Sequence, residues 1–141
     1  MRIVLDTSVL VAAARSRRGA SFALVASVPN STFQLCVSVG VYTEWQAVLT
    51  RPEHLPPGTG SDLALGFVRY LASQAHLQDV YFLWRPFLRD PDDDMVLACA
   101  VAGVCPYIVT HNVKDFKGTE RLGVKAITPR DFLQHLKEQR A

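Results

Sequence analysis

The sequence lacks the local motifs that identify most well-known active sites. It has no G-x-S-x-G turn, which argues against an α/β-hydrolase, and neither G-x-x-x-x-G-K-[ST] nor G-x-G-x-x-G, which argues against the common nucleotide-binding loops. No pair of histidines has the spacing of a zinc site. The segment Asp6-Thr7-Ser8 has no second Asp two positions on, which weakens an aspartyl-phosphate phosphatase interpretation. Nucleophilic and zinc-dependent catalysis therefore have little support.

The sequence also has few cysteines and no long apolar run. The three cysteines are an odd number without C-x-x-C spacing, so we interpret them as buried, reduced thiols rather than as a disulfide framework. The N-terminal apolar run Ile3–Leu5 is interrupted by Asp6, which excludes a signal peptide or a membrane span there. We therefore expect a cytoplasmic protein without a membrane partner.

Length and composition are typical of one globular domain. The chain has 141 residues, of which 49% are hydrophobic and 20% charged, so we predict a single domain over residues 1–141. Strands and helices alternate, which predicts a three-layer α/β/α domain with a central parallel sheet. The predicted strands are 2–6, 33–38, 80–84, 106–110 and 124–127, and the predicted helices are 9–14, 20–27, 39–49, 63–74, 93–103 and one from 129 onward.

Acidic residues are concentrated in one short stretch, Asp90-Pro91-Asp92-Asp93-Asp94. Four of the thirteen acids fall within these five positions, directly before an Ala-rich helix. A helix N-terminus favours one or two acids there, but four packed carboxylates repel one another and need a cation. Carboxylate oxygens are the ligands that Mg²⁺ and Mn²⁺ select. The stretch therefore predicts a site for a hard divalent cation.

Three further acids are expected near this stretch. Asp6 directly follows one buried strand, and Asp115 lies in the polar turn after another. Because the carboxyl ends of parallel strands meet at one edge of a sheet, both are expected there, although Asp6 could instead cap a helix. Glu44, on a neighbouring predicted helix, is the third. A site built only from carboxylates can bind one or two divalent ions that activate water and stabilise a phosphodiester leaving group.

Basic residues flank these acids in two groups. The first follows the first predicted helix and includes Arg15, and the second comprises seven Lys and Arg side chains in residues 111–141, including Lys114 and Lys117. Each of them singly could simply be a solvated surface charge. A basic surface around an acidic centre nevertheless suits a polyanion whose backbone is cut with the help of a metal ion. Hydrolysis of a nucleic acid is therefore the predicted reaction class.

The chain resembles the PIN domain family, and in particular the toxin components of toxin–antitoxin systems related to VapC-type ribonucleases. The resemblance extends from Met1 to about Leu136 and is carried by four segments in order, namely VLDTSVL at 4–10, Glu44, DPDDD at 90–94, and YIVTHNVKDF at 107–116. It implies a homodimeric endoribonuclease that needs Mg²⁺ or Mn²⁺ and is neutralised by a separately encoded antitoxin protein.

The same resemblance implies roles for particular residues. The catalytic and metal-binding acids would be Asp6, Glu44, Asp93 with Asp94 as an alternative, and Asp115. Hydroxyls of Ser8 and Thr110 would support the site, as would Asn112. Among the basic residues that flank the acids, Arg15, Lys114 and Lys117 are the candidates for contact with RNA.

Two features of the sequence depart from the family pattern or leave it open. Asn112 stands where many PIN domains have an acid, so Asp115 is the preferred fourth ligand. Within Asp92–Asp94 the spacing from Ala100 favours Asp93, whereas the spacing from Thr110 favours Asp94; we prefer Asp93 and interpret Asp90 as a turn former.

A non-catalytic binding module that uses the acidic pocket for a partner is the alternative function. Three aromatic residues, Tyr81, Phe82 and Trp84, are candidates for an interface or for core packing.

Overall fold

A five-stranded parallel sheet forms the centre of the computed structural model, which describes residues 1–80 and 87–140. Neighbouring strands pair in parallel in the order β3-β2-β1-β4-β5. The strands are β1 (Arg2–Leu5), β2 (Gln34–Val37), β3 (His76–Leu77), β4 (Tyr107–Val109) and β5 (Lys125–Ile127).

Helices flank this sheet, so the predicted three-layer α/β/α arrangement with a parallel sheet is confirmed. Helix α5 packs against three of the strands, and α2 packs between α1 and α6. The helices are α1 (Thr7–Arg15), α2 (Ala20–Ala26), α3 (Val39–Leu49), α4 (Ser61–Ser73), α5 (Pro91–Ala102) and α6 (Pro129–Arg140). Three short 3₁₀ helices span Pro52–His54, Val113–Phe116 and Thr119–Leu122.

The central strand β1 is buried as its continuous apolar sequence predicts. Ile3, Val4 and Leu5 are each at most 1% exposed, because β2 and β4 pair on either side and helices cover both faces. The paired strands are in register, with Val4 opposite Ile108. The carboxyl ends of β1 and β4 therefore lie side by side, and the Asp6 backbone N–H donates to the Val109 carbonyl at 2.9 Å.

Several predicted boundaries are wrong by a few residues. Helix α5 begins at Pro91 rather than at 93, because proline is tolerated at the first helical position and the Asp90 carboxylate accepts a hydrogen bond from the Asp92 N–H at 2.8 Å. Helix α1 begins at Thr7, two residues earlier than predicted. The two-residue strand β3 was not predicted, because so short a segment carries no apolar pattern. The predicted strand 80–84, with its interface candidates Tyr81, Phe82 and Trp84, lies outside the described residues except for Val80, which is not in a strand.

The cysteines agree with the prediction, since Cys36, Cys99 and Cys105 are all free and buried. None of the helices among the described residues has the length and apolar character needed to cross a membrane.

Candidate active site

A pocket of about 610 Å³ lies at the carboxyl edge of the sheet, where the ends of β1 and β4 meet α3 and the start of α5. Six carboxylates line it, those of Asp6, Glu44, Asp90, Asp92, Asp93 and Asp115. The fold therefore brings together the acids that the sequence predicts from four separate segments. The clustering follows from topology, because parallel strands place the residues after their ends on one edge.

Asp6 is held in this pocket by hydroxyl groups. The residue occupies the N-cap position of α1, yet its side chain makes no capping hydrogen bond, so the capping interpretation of its carboxylate is wrong. Instead Oδ2 accepts hydrogen bonds from Ser8 Oγ at 2.8 Å and from Thr110 Oγ1 at 2.7 Å. Asp6 is only 7% exposed, and a buried carboxylate needs such donors.

The same two hydroxyls connect the start of α1 to the loop after β4. Thr110 is fully buried, and its Oγ1 accepts the Asn112 N–H at 2.9 Å. Ser8 Oγ accepts the His111 N–H at 3.2 Å. Ser8 and Thr110 thus lie where the sequence predicts supporting hydroxyls, and Asn112 lies on the pocket wall beside them.

The structure distinguishes among the three consecutive aspartates. Among the described residues, those that line the pocket include Asp92 and Asp93 but not Asp94. Asp94 Oδ1 accepts the backbone N–H groups of Phe87 at 3.1 Å and Leu88 at 2.7 Å, which directs it to the preceding loop. This geometry favours Asp93 over Asp94 as a ligand.

The pKa of Asp93 reflects the crowding of acids. Burial, together with the charges of Asp6, Asp90 and Asp115, raises its pKa from 3.8 to about 6. A carboxyl with a raised pKa in a cleft is typical of a functional site.

Glu44 reaches the pocket from α3, whose position is fixed at its N-terminus and near its middle. The Ser38 side chain caps the helix by accepting the Val41 N–H, and the buried Trp45 indole donates to the Leu5 carbonyl at 3.3 Å. Burial, followed by the charges of Asp92 and Asp6, raises the pKa of Glu44 from 4.5 to about 7.

One oxygen of Glu44 lacks a partner. Glu44 Oε2 is buried without a hydrogen bond among the described residues, and so is the adjacent hydroxyl of Thr7. The Thr7 hydroxyl lies near enough to lower the pKa of Glu44 slightly, but the two groups do not meet in good hydrogen-bond geometry. Because an unsatisfied buried polar atom is costly, this pair is suited to a ligand.

The types of ligand group that line the pocket suit a hard divalent cation. Carboxylates, hydroxyls and one amide side chain line the pocket, and one carboxylate oxygen is buried without a partner among the residues described. In the part of the chain that the structure describes, however, no three Asp, Glu, His or Cys side chains already surround one position closely enough to hold an ion. Carboxylates without a shared cation repel one another, so binding requires them to draw together.

Basic groups lie at two places on the pocket wall. Arg15 lines the pocket, and its Nη2 is 3.0 Å from Nδ1 of His54. His111 lines it beside Asn112. Lys114 and Lys117 are exposed and are absent from the lining among the described residues. Of the three cations predicted to contact RNA, the fold therefore brings only Arg15 into the pocket.

Sequence reasoning assigned no role at the site to Thr7 or His111, yet both line the pocket. Each directly follows a predicted site residue, Asp6 or Thr110. That adjacency is the signal that could have identified them.

Comparisons with known proteins agree with this architecture. The family model described as PIN domain matches residues 2–114. The fold is similar to the structure of VapBC-1 from nontypeable Haemophilus influenzae, with a TM-score of 0.62, 16% identity, and coverage of 92% of this chain and 99% of that one. It is also similar to the crystal structure of VapBC2 from Rickettsia felis bound to a DNA fragment from their promoter, with a TM-score of 0.64, 16% identity, and coverage of 90% of this chain and 99% of that one. No curated protein sequence matches.

Proposed function

The chain belongs to the PIN domain family, and from this we propose that it is an endoribonuclease that depends on Mg²⁺ or Mn²⁺ and acts as the toxin of a toxin–antitoxin pair. The observation that carries the proposal is the convergence of six carboxylates on one pocket, in which an oxygen of Glu44 is buried with no hydrogen-bond partner in residues 1–80 and 87–140. Such a site is costly for the protein unless it binds a cation.

Asp6, Glu44, Asp93 and Asp115 would hold the metal. The hydrogen bonds of Asp94 to the loop at 87–88 favour Asp93 over Asp94 in this role. When bound, a divalent ion supplies activated water and neutralises charge on the phosphodiester. The protein's own contribution is to fix the geometry. Ser8 and Thr110 both donate to Asp6 Oδ2, which orients the carboxylate and leaves Oδ1 for another ligand.

RNA would approach along the basic surface outside the pocket. Arg15 on the pocket wall is placed to bind a backbone phosphate, since guanidinium groups form strong charge-assisted hydrogen bonds to phosphate. Lys114 and Lys117 are exposed and lie within two positions of Asp115 in the sequence. They would attract the RNA backbone whatever its base sequence. Mutation of either lysine should therefore weaken RNA binding mainly at low salt.

The two similar structures are described as VapBC complexes, which supports a separately encoded antitoxin as the partner of this chain. A homodimer and a cytoplasmic location complete the proposal. Expression of the chain alone should slow growth of a bacterial host, and co-expression of its antitoxin should restore growth. Sedimentation should show a dimer; a monomer at every accessible concentration would remove the dimer from the proposal.

The direct test is incubation of the purified protein with single-stranded RNA and with DNA of the same sequence. We expect RNA cleavage in Mn²⁺ or Mg²⁺ and none in EDTA. Cleavage of DNA alone would change the substrate class. If neither RNA nor DNA is cleaved with any metal, the nuclease proposal is refuted.

A second candidate is a binding module that keeps the fold without catalysis. It is favoured by Asn112, which stands where many family members have an acid, and by the absence among the described residues of three groups already close enough to enclose an ion. Thermal unfolding with and without millimolar Mn²⁺ separates the candidates, because a ligand of the native state raises the melting temperature. No increase would favour the binding module.

A further inference from the structure

His111 lies at the end of the pocket where the loop leaves β4. Its backbone is tied to the acidic centre, because its N–H donates to Ser8 Oγ and Ser8 Oγ in turn donates to Asp6. His111 lines the same pocket as the six carboxylates. His111 is therefore held beside the cluster of acids without being one of them.

The ring orientation is set by a residue from another element. Ser21, in the first turn of α2, is only 3% exposed, and its Oγ lies 2.6 Å from His111 Nε2. A buried hydroxyl needs a partner, so this short contact restrains the imidazole. With Nε2 engaged, Nδ1 is the ring nitrogen left for a ligand, and it carries a proton when the Ser21 hydroxyl donates to Nε2.

The pocket has few groups that can bind a phosphate. Among the described lining residues, the side chains that carry N–H donors are Arg15, His111 and Asn112. An RNA backbone that enters a site with six carboxylates needs such donors to offset repulsion. Arg15 and His111 belong to different segments of the wall, α1 and the loop after β4. Two separate donors can hold the backbone at two points.

We propose that His111, oriented by Ser21, is a substrate-binding residue that donates from Nδ1 to an RNA phosphate adjoining the scissile one. The inference rests on the proposed ribonuclease function and adds a binding contact to it. His111 binds the substrate, and Ser21 is a positioning residue that acts through His111. The contact predicts an effect on KM rather than on kcat, because it is present before and during the reaction.

The variants are chosen so that folding and binding separate. His111→Gln retains an amide oxygen that can accept the Ser21 hydroxyl in place of Nε2 but lacks a donor at the Nδ1 position. Ser21→Ala removes the restraint alone. Two variants serve as matched controls. Ser27→Ala removes a hydroxyl at the other end of α2, which donates to the Leu24 carbonyl instead. His135→Ala removes an imidazole on α6, and His135 is not among the described residues that line the pocket.

Steady-state cleavage of a short RNA in Mn²⁺ should show KM raised about 3- to 10-fold in His111→Gln, the range that one hydrogen bond supplies, with kcat and the melting temperature near those of the wild type. Ser21→Ala should raise KM less, and Ser21→Ala combined with His111→Ala should match His111→Ala alone. An unchanged KM in His111→Gln and His111→Ala would overturn the proposal, and so would multiplicative effects of the Ser21 and His111 changes.

Binding of a fluorescent single-stranded RNA by fluorescence anisotropy, in an Asp6→Asn background, gives the same comparison without cleavage. If the wild type does not cleave RNA, the ribonuclease proposal fails, and the anisotropy comparison still decides whether His111 contacts RNA. If the wild type cleaves RNA and neither KM nor affinity depends on His111, this inference alone fails.

Discussion

Replacement of Glu44 by Gln should stabilise the metal-free protein at neutral pH. The substitution keeps the shape of the side chain but removes a charge that burial and the neighbours Asp92 and Asp6 disfavour. A change in one pKa from 4.5 to about 7 is worth about 3 kcal/mol. Because Asp92 is exposed and Glu44 is only half-buried, solvent screening should leave about 1 to 2 kcal/mol.

The pH dependence follows from the direction of the change. The pKa of Glu44 is higher in the folded than in the unfolded state, so its contribution to stability is fully present below pH 4.5 and is lost as the pH rises to about 7. Gln has no such dependence. Wild type and Glu44→Gln should therefore be similarly stable near pH 4.5 and diverge in favour of the variant up to about pH 7. Asp93 also has a raised pKa, of about 6. It is present in both proteins, so its effect on stability largely cancels when the two are compared.

Thermal unfolding between pH 4.5 and pH 8, first in EDTA and then in Mn²⁺, measures both consequences. In EDTA at pH 8 the variant should melt roughly 4 to 8 °C above the wild type, at about 4 °C per kcal/mol for a domain of this size. In Mn²⁺ this difference in melting temperature should become smaller or change sign, because the cation stabilises the wild type more than the variant. Glu120→Gln, an exposed acid outside the described pocket lining, is the control. If the melting temperature of Glu44→Gln in EDTA has the same pH dependence as that of the wild type, this reasoning is refuted.

Three further predictions follow from other contacts. Asp93→Asn should reduce metal-dependent RNA cleavage about 10- to 100-fold, whereas Asp94→Ala should chiefly lower the melting temperature because it removes the Oδ1 that accepts two backbone N–H groups; equal loss of activity with equal stability would contradict this assignment. Thr110→Val should cost about 1 to 3 kcal/mol in denaturant unfolding and slow cleavage, since it removes a donor to Asp6 and an acceptor for the Asn112 N–H; an unchanged midpoint would count against the hydroxyl network. Val104→Gly should raise the free energy of unfolding by about 1 kcal/mol, because Val104 has a φ of 53° and is 84% exposed; a lower melting temperature would show that its side chain has an unrecognised contact.

Much of the fold is readable from the sequence because the decisive signals are local. The continuous apolar run of β1 can be buried only if both faces are covered, and the acid that follows it then lies at the edge where ligands bind. Pro129 after Thr128 predicts the start of α6, and Thr128 Oγ1 accepts the Asp131 N–H at 3.2 Å. The strand β3 has only two residues, and pairing with β2 rather than its own pattern makes it a strand.

The details of the site depend on contacts that no local pattern contains. Asp93 and Asp94 are adjacent, and what separates them is the loop at 87–88 that binds Asp94. The restraint on His111 comes from Ser21, which is 90 positions away in sequence. Thr7 Oγ1 and Glu44 Oε2 have no hydrogen-bond partner in the part of the chain that the structure describes, and the two residues lie on α1 and α3, which pack together. Each depends on tertiary packing, which sequence spacing does not encode.

The measurement that tests the central claim most directly is cleavage of single-stranded RNA in Mn²⁺ and in EDTA by the wild type, Asp6→Asn and Asp131→Asn. Asp131 is an exposed carboxylate on α6 and is absent from the described lining of the pocket, so it controls for loss of a negative charge. We predict that the wild type and Asp131→Asn cleave RNA in Mn²⁺ only, and that Asp6→Asn is folded but at least about 100-fold slower. Cleavage that persists in EDTA, or that is as fast in Asp6→Asn as in the wild type, would contradict a metal-dependent ribonuclease at this pocket.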